Sequence, residues 1–546
     1  MKQRVDLALV AALFCLALGA RLIPLFASPL PYAIDGFPAA KIAEQIGASG
    51  QWTIDPTDVN REDLKVPGTF LVLSAAAQLA ALHPLLHAQV IFPILAATIV
   101  APVYLIGVRG TGRRAVGLAA GCFVTTYGSF LFLTSVPMKE TLGLVLLPAT
   151  VLLIHERADP RKRAIAIILL LLLAFVDYLT LLMAVGMAAS LVFLAHARSL
   201  SLHRFSARGL ALDFATIGFP FLVAWNYYSA VDLFYFSQAS STAGLVALLA
   251  AGVVLVVLLI RRWKAISPDS TPGFVFPWSI LLGGALLAGV LVLGPQSNVF
   301  EDTPQVRSQF QAITLAIVFL GGFAFVGYRS IRRTAGYLND LTVSMLTTPV
   351  VLILFGFALN QGTLSFRIIY RSVDFVDLAF ALLGGLGLAL AFARLRHNRP
   401  AGVAMTAAFV VALLVTTPIA YDTPQVFGVE TVTTPQEFQA LQLIASLGAK
   451  KMLSDHRLST VASLYFGLVS NFRLPLWLRD QTPIRGYDYA LVLERWTTVG
   501  ATMFPGATVV LDQATLDSFL SANRIVQVYG TAGDRTFIVQ LSDASS

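Results

Sequence analysis

The sequence predicts a mostly α-helical, polytopic membrane protein with about thirteen spanning helices and a small α/β domain at its C-terminal end. Three observations carry that prediction. The 546 residues are 57% hydrophobic and only 12% charged, about half the charged fraction of a soluble domain. Apolar runs near span length recur from Val5 to Ala420. Basic residues cluster in the short loops between those runs. A soluble helical protein of this composition would have no polar faces to present to water.

The net charge of +8 does not point to nucleic acid, because the basic residues follow the positive-inside pattern of membrane loops. Cys15 and Cys122 both lie in apolar segments, and the C-terminal region has no cysteine, so a disulfide framework is not expected. Met1-Lys2-Gln3-Arg4 opens an apolar run that has no clear small-residue cleavage site and is interrupted by Arg21. It reads as an uncleaved first span entering from the cytoplasm.

The basic loops fix the topology. They are Arg109 to Arg114, Arg157 to Arg163, Arg198 to Arg208, Arg261 to Lys264, Arg329 to Arg333 and Arg394 to Arg399. All fall on one side if the spans are about 5–26, 88–107, 115–133, 140–155, 164–176, 180–196, 209–228, 243–260, 278–294, 309–327, 339–358, 373–393 and 401–420. The N-terminus is then inside and the C-terminus outside a plasma membrane crossed many times. Residues 68–86 are apolar enough to span, but a crossing there would put the later basic loops outside. They are expected as a surface helix within a long first outer loop, 27–87. Residues 1–420 make the transmembrane domain and 421–546 the soluble one.

The unusual polar residues then gather in outer loops. Asp35, Lys41, Asp55, Asp58, Glu62 and Asp63 lie in the first, Lys139 and Glu140 in the second, and Asp177 at the tip of a short hairpin. Glu301, Asp302 and Arg307 follow the ninth span, and Arg367, Arg371 and Asp374 precede the twelfth. Ionisable groups at membrane depth are costly and usually line a cavity or a site.

Beyond Asp422 the pattern changes. Thr434-Pro435-Gln436-Glu437 is a capping box with proline at the first helical position, opening a helix to about Leu447. Apolar runs at 489–493, 508–511, 524–529 and 536–541 read as strands, with a helix near 514–522 and a turn at Gly533-Asp534. No phosphate loop, metal-spaced Cys/His set or nucleophile elbow occurs here. Asp455-His456-Arg457 reads as a charged strand end rather than a site.

The first loop, PLPYAIDGFPAAKIAEQIGASGQWTIDP, places Asp35 just after the first span and Lys41 six residues later. The second, TSVPMKE, places Glu140 at the start of a span. This arrangement resembles the GT-C superfamily of membrane glycosyltransferases, and most of all the catalytic subunits of oligosaccharyltransferases. That family has about thirteen spans and an outer C-terminal domain. The resemblance implies that Asp35 and Glu140 are catalytic. It implies that Asp35, Glu140 and Glu301 hold a divalent cation, Mg²⁺ or Mn²⁺. It also implies that Arg367 or Arg371 binds the donor phosphate, with Lys41 in the place of the family's first-loop arginine. Asp177 is expected to line the same cavity. Two departures stand out: Met138 replaces the first acid of the family's paired motif, and the C-terminal domain lacks the Trp-Trp-Asp signature that holds an asparagine acceptor.

The expected activity is transfer of a sugar from a polyprenyl-phosphate donor to a glycan, lipid or protein acceptor at the outer face. A phosphate leaving group needs a cation or arginine, the acceptor needs a carboxylate to take its proton, and hard cations prefer oxygen ligands. Each residue also has a plainer role. Asp35 suits a helix cap, Glu140 a first-turn acid, the arginines lipid headgroups, and Lys41 a surface pair with Glu44. Alternatives are a lipid-linked polysaccharide polymerase or ligase, which needs arginines but no acid pair, a transporter or flippase of lipid-linked sugars, and a non-catalytic scaffold. No internal repeat favours a transporter.

The topology has a direct test. A reporter active only in the cytoplasm, fused after Ser546, should stay inactive; full activity would overturn the span count and the site assignment together.

Overall fold

The structure is a computed structural model that describes residues 2–55, 57–201, 203–233, 304–331, 337–359, 362–395, 397–422, 432–503 and 507–541. The expected spans 243–260 and 278–294, and Glu301 and Asp302, lie outside the described residues.

Among the described residues, eight helices are long and apolar enough to cross a membrane, or nine if one bent pair counts as a single span. The first is α1 (Lys2–Ala27). The second, Pro84–Thr111, starts earlier than the sequence suggests and consists of α5 (Pro84–Ala97) and α6 (Val100–Thr111). The expected span 115–133 is broken. α7 (Arg114–Thr126) and α8 (Gly128–Ser135) meet at a 63° bend around the extended residue Tyr127. α9 (Lys139–His155) and α10 (Pro160–Val176) have 17 residues each, the lower limit for a span. The bundle continues through α11 (Tyr178–Ser201), α12 (Ala207–Ala230), α13 (Pro304–Ile331), α14 (Tyr337–Leu359), α15 (Gly362–Arg394) and α16 (Arg399–Val415), closed by the short α17 (Pro418–Tyr421).

One end of this bundle, where the basic loops fall, is laced by ion pairs. Asp213 on α12 takes Arg157 at 2.8 Å, Arg163 at 3.1 Å and His196 at 2.9 Å. Arg198 meets Asp340 at 2.7 Å, and Glu156 pairs with Arg109 and Lys162. These acids tie together helix ends that are far apart in the chain.

At the other end lies the first loop. It carries α2 (Gly36–Ser49), stopped by Gly50 at φ 66, the single turn α3 (Arg61–Leu64), and α4 (Gly68–Ala80). α4 has 13 residues and rises only about 20 Å, too little to cross a hydrocarbon core of about 30 Å. α2 is covered from several directions. Ala39, Ile42 and Ile46 pack with Leu64 and Phe70, and Ala43 packs with Leu73, Ala88 and Phe92. Phe37 and Ala40 join the core of the C-terminal domain.

That domain holds a five-stranded sheet in the order β2-β1-β3-β7-β6. β1 (Lys451–Leu453) lies parallel to both β2 (Val469–Asn471) and β3 (Tyr489–Leu493), and β7 (Thr536–Gln540) runs antiparallel to β3 and to β6 (Arg524–Tyr529). A separate hairpin pairs β4 (Ala501–Met503) with β5 (Ala507–Val509). The helices are α18 (Pro435–Ser446), α19 (His456–Leu464), α20 (Leu474–Arg479) and α21 (Gln513–Ala522). The three-residue strands β1, β2 and β4 and the helices α19 and α20 are additions to the sequence expectation. Asp455-His456-Arg457 follows β1 and opens α19, with Asp455 accepting the Leu458 amide at 2.8 Å.

The capping box forms as expected, and its acid has a second task. Glu437 is 1% exposed. It accepts the Thr434 amide at 2.7 Å, both terminal nitrogens of Arg457 at 2.7 and 2.6 Å, and Arg495. Burial pushes the Glu437 carboxyl up, but the guanidinium groups of Arg457 and Arg495 outweigh it and hold the group below the usual carboxylate range. A depressed folded pKa contributes stability that is present above the unfolded value and lost as pH falls through the folded one. The domain should therefore hold its structure through the ordinary carboxylate range and loosen only below it. Glu437→Gln would remove the buried carboxylate that Arg457 and Arg495 share and should cost about 3–5 kcal/mol, the usual scale for a broken buried pair. Hydrogen exchange at the β3 amides across pH would report both effects.

Candidate active site

Asp35, Glu140, Asp177 and Arg371 fall at the end of the bundle opposite the ion-paired basic loops. The second loop arrives there because α8 bends away from α7 and the extended residue Val136 leads to Pro137. Met138 is also extended and precedes α9, so Lys139 and Glu140 occupy the first helical turn. Thr141 secures the corner, its hydroxyl sitting 2.8 Å from the Leu133 carbonyl and 2.6 Å from that of Val136.

α15 brings Arg371 to this corner from 231 residues away. Its guanidinium lies 3.5 Å from Glu140 Oε1 and donates to Met138 Sδ at 3.2 Å. Both charged side chains are largely buried, at 13% and 18% exposure. Lys139 turns the other way, to Asp63 on α3 at 2.8 Å, with its ammonium 5.9 Å from the centre of the Tyr178 ring. Asp177 is buried between α10 and α11. Its carboxylate accepts the Thr180 amide at 2.8 Å and the Thr180 hydroxyl at 2.5 Å, and Glu140 and Lys139 both act on it electrostatically. Asp374, one turn along α15, stands within electrostatic range of Arg371 and Glu140, and Asp377 within range of Asp374.

Asp35 reaches the same corner through α2. It is the residue before the helix, yet its side chain makes no capping hydrogen bond. Gly36 beside it is pressed between two prolines. A Cβ there would stand 2.5 Å from Pro31 Cβ and 2.6 Å from Pro137 Cγ, so the first and second loops touch at that glycine.

Other predicted residues stand apart. Lys41 pairs with Glu44 at 3.7 Å and lies 5.4 Å above the Tyr465 ring, against the C-terminal domain. On α15, Arg367 precedes Arg371 by four residues, and its side chain lies outside the described residues. Asp63 was legible only as one acid among many in the first loop, and Asp377 falls inside an apolar run read as a span; an acid interrupting such a run was the available signal.

The geometry suits anion recognition better than metal binding. Among the described residues, no group of three or more His, Cys, Asp or Glu side chains is placed to hold a metal ion. Glu140 faces a guanidinium, and Asp177 is closed onto Thr180.

No family model and no curated protein matches the chain. Among solved structures, the chain is similar to ArnT from Cupriavidus metallidurans bound to undecaprenyl phosphate, at 10% identity and a TM-score of 0.38 over 98% of each chain. It is also similar to the apo state of the same protein, at 12% identity and a TM-score of 0.31 over 98% of each chain.

The contact at Gly36 can be tested. Gly36→Ala drives a methyl group into two prolines that cannot swing away, and should destabilise the protein by about 1–3 kcal/mol, the usual cost of overpacking. Thermal unfolding of the purified protein would measure it.

Proposed function

We propose that this protein is a GT-C-type membrane glycosyltransferase that takes its sugar from a polyprenyl-phosphate donor at the outer membrane face. The observation that carries the reading is the pairing of Arg371 with Glu140 at 3.5 Å, at a corner where the Asp35 loop packs on Pro137. A cation for a phosphate and carboxylates for a proton thus come from three distant parts of the chain.

In this reading the donor phosphate displaces Glu140 from Arg371. Asp35 takes the proton of the acceptor hydroxyl as the acceptor oxygen bonds to the anomeric carbon. The bond from that carbon to the phosphate oxygen breaks, and its electrons remain on the lipid phosphate. Arg371 faces that growing charge at low dielectric. Glu140 and Asp177 hold the surrounding cations in place. The absence of a Trp-Trp-Asp signature favours transfer of a single sugar to a glycan or lipid over transfer to an asparagine of a protein acceptor.

A second reading, a lipid-linked polysaccharide polymerase or ligase, draws on the same Arg371. Its chemistry needs an outer arginine and no acid pair, and Arg371 lies 3.5 Å from Glu140. Loss of transfer in Asp35→Asn would favour the transferase, whose acceptor needs a carboxylate base, over this second reading.

Purified protein incubated with a panel of labelled lipid-linked sugars should transfer at least one of them. Asp35→Asn preserves size and hydrogen bonding but removes the charge, and should lower the transfer rate about a hundredfold without changing the unfolding temperature. An unchanged rate would remove Asp35 from the chemistry.

A further inference from the structure

We infer that Arg21 is a positioning residue that sets the place of Glu140 by holding the elbow between α7 and α8. Its catalytic meaning rests on the proposed transferase function; its structural claim does not.

Arg21 lies on α1 and is 1% exposed. A buried cation ordinarily has an acid beside it, but among the described residues no carboxylate pairs with this one. Its hydrogen bonds go to neutral oxygens. One terminal nitrogen donates to the Val124 carbonyl at 2.9 Å and to Thr134 Oγ1 at 2.7 Å. Nε donates to the same hydroxyl at 3.0 Å, and the other terminal nitrogen donates to the Ala17 carbonyl at 3.2 Å.

Two of those acceptors lie on the two arms of the bend. Val124 belongs to the last turn of α7, and its carbonyl would ordinarily accept the amide of Gly128, four residues on. That amide is diverted to Thr416 Oγ1 at 2.9 Å, just past the end of α16. The bend therefore leaves the Val124 carbonyl without its helical partner, and Arg21 supplies one. The positive guanidinium also sits where the dipole of α7 ends negative. Thr134 is on the far arm, α8; its hydroxyl donates to the Phe130 carbonyl at 2.7 Å, leaving its lone pairs to Arg21. A single side chain thus ties the end of one helix to the end of the next.

The elbow matters because it aims α8. That helix has eight residues and is about 12 Å long. A relaxation of about 10° at Tyr127 would swing its tip by about 2 Å, and about 1 Å of misplacement can cost a hundredfold in rate. The tip carries Pro137, Met138, Lys139 and Glu140, and Thr141 locks that segment to Leu133 and Val136. Movement at the elbow passes to Glu140 with little slack.

The experiment reads position separately from activity. In a protein with Cys15 and Cys122 replaced by alanine, the contacting pair Asp63 and Lys139 is changed to cysteines and bridged in membranes by a short bis-methanethiosulfonate reagent of lysine-like length, since the lysine stem holds the two backbones beyond direct disulfide reach. The cross-link should form readily. Adding Arg21→Met should slow its formation fivefold or more, Thr134→Val should slow it in the same direction, and Arg21→Lys should recover part of the loss. Thr134→Val removes only the acceptor on α8 and decides the matter if Arg21→Met does not fold. In the protein with Asp63 and Lys139 intact, the same variants should lower kcat about 10- to 100-fold with KM changed less than about threefold. Folded Arg21→Met and Thr134→Val proteins that cross-link at the original rate would overturn the inference. Slowing of the cross-link as expected, with no transferase activity in any variant or in the parent, would instead leave Arg21's role standing and count against the proposed function.

Discussion

The burial of Phe37 holds the two halves of the molecule together. Its ring is fully buried, stacked on Phe438 at 5.8 Å and edge-on to Tyr465 at 6.2 Å. Removing such a side chain from water is worth roughly 1.5–3 kcal/mol, and aromatic pairing adds about 0.5–1.5 kcal/mol per pair. Around it, the Tyr465 hydroxyl donates to Glu44 at 2.5 Å, Lys41 covers the Tyr465 ring, and Asn60 donates to the Leu464 carbonyl at 3.0 Å. The C-terminal domain is thereby built onto α2, and α2 begins just after Asp35. The C-terminal domain thus fixes the direction from which Asp35 enters the corner.

Charge is arranged differently at the two ends of the bundle, and the difference follows from what each end must do. At the basic-loop end, Asp213 faces two arginines and a histidine, and Glu156 faces two cations. Those contacts join helix ends and leave no surplus of acid around either carboxylate. At the other end acids outnumber cations: Glu140, Asp177, Asp374 and Asp63 surround Arg371 and Lys139. A set so unbalanced is costly at low dielectric, and such a cost is characteristic of sites rather than of scaffolding.

Hydropathy and the positive-inside pattern made most of the bundle legible, because a span must be apolar over its whole length. Every expected span within the described residues corresponds to a helix or a bent pair. The bend at Tyr127 was not legible. Its residues are apolar on both sides, and the amide it displaces is taken up by Thr416, 288 residues away. In the C-terminal domain, the five- and six-residue strands and the capping box could be read locally. The three-residue strands β1, β2 and β4 could not, since they owe their structure to neighbours rather than to alternation. In the site, Asp35, Glu140 and Arg371 were legible as ionisable residues at span ends. Their partners were not. The contact of Arg371 with Glu140 crosses 231 residues, and Lys139 faces Asp63 across 76. Lys41 follows Asp35 by six residues, but α2 carries its side chain to Tyr465.

Met138 is best understood through the same electrostatics. An acid at that position, next to Glu140, would place two carboxylates beside one guanidinium and leave the corner ready for a divalent ion. The thioether instead accepts weakly from Arg371 at 3.2 Å and carries no charge. Arg371 is then paired with Glu140 at a distance of 3.5 Å, longer than a good charge-assisted hydrogen bond. A phosphate can offer the guanidinium two oxygens in a matched bidentate geometry, which the single long contact to Glu140 does not. Loss of the first acid thus removes a competitor for the arginine while it removes a ligand for a metal. Within the proposed function, Met138 marks a change in how the donor phosphate is held, and the residue that gains importance by it is Arg371.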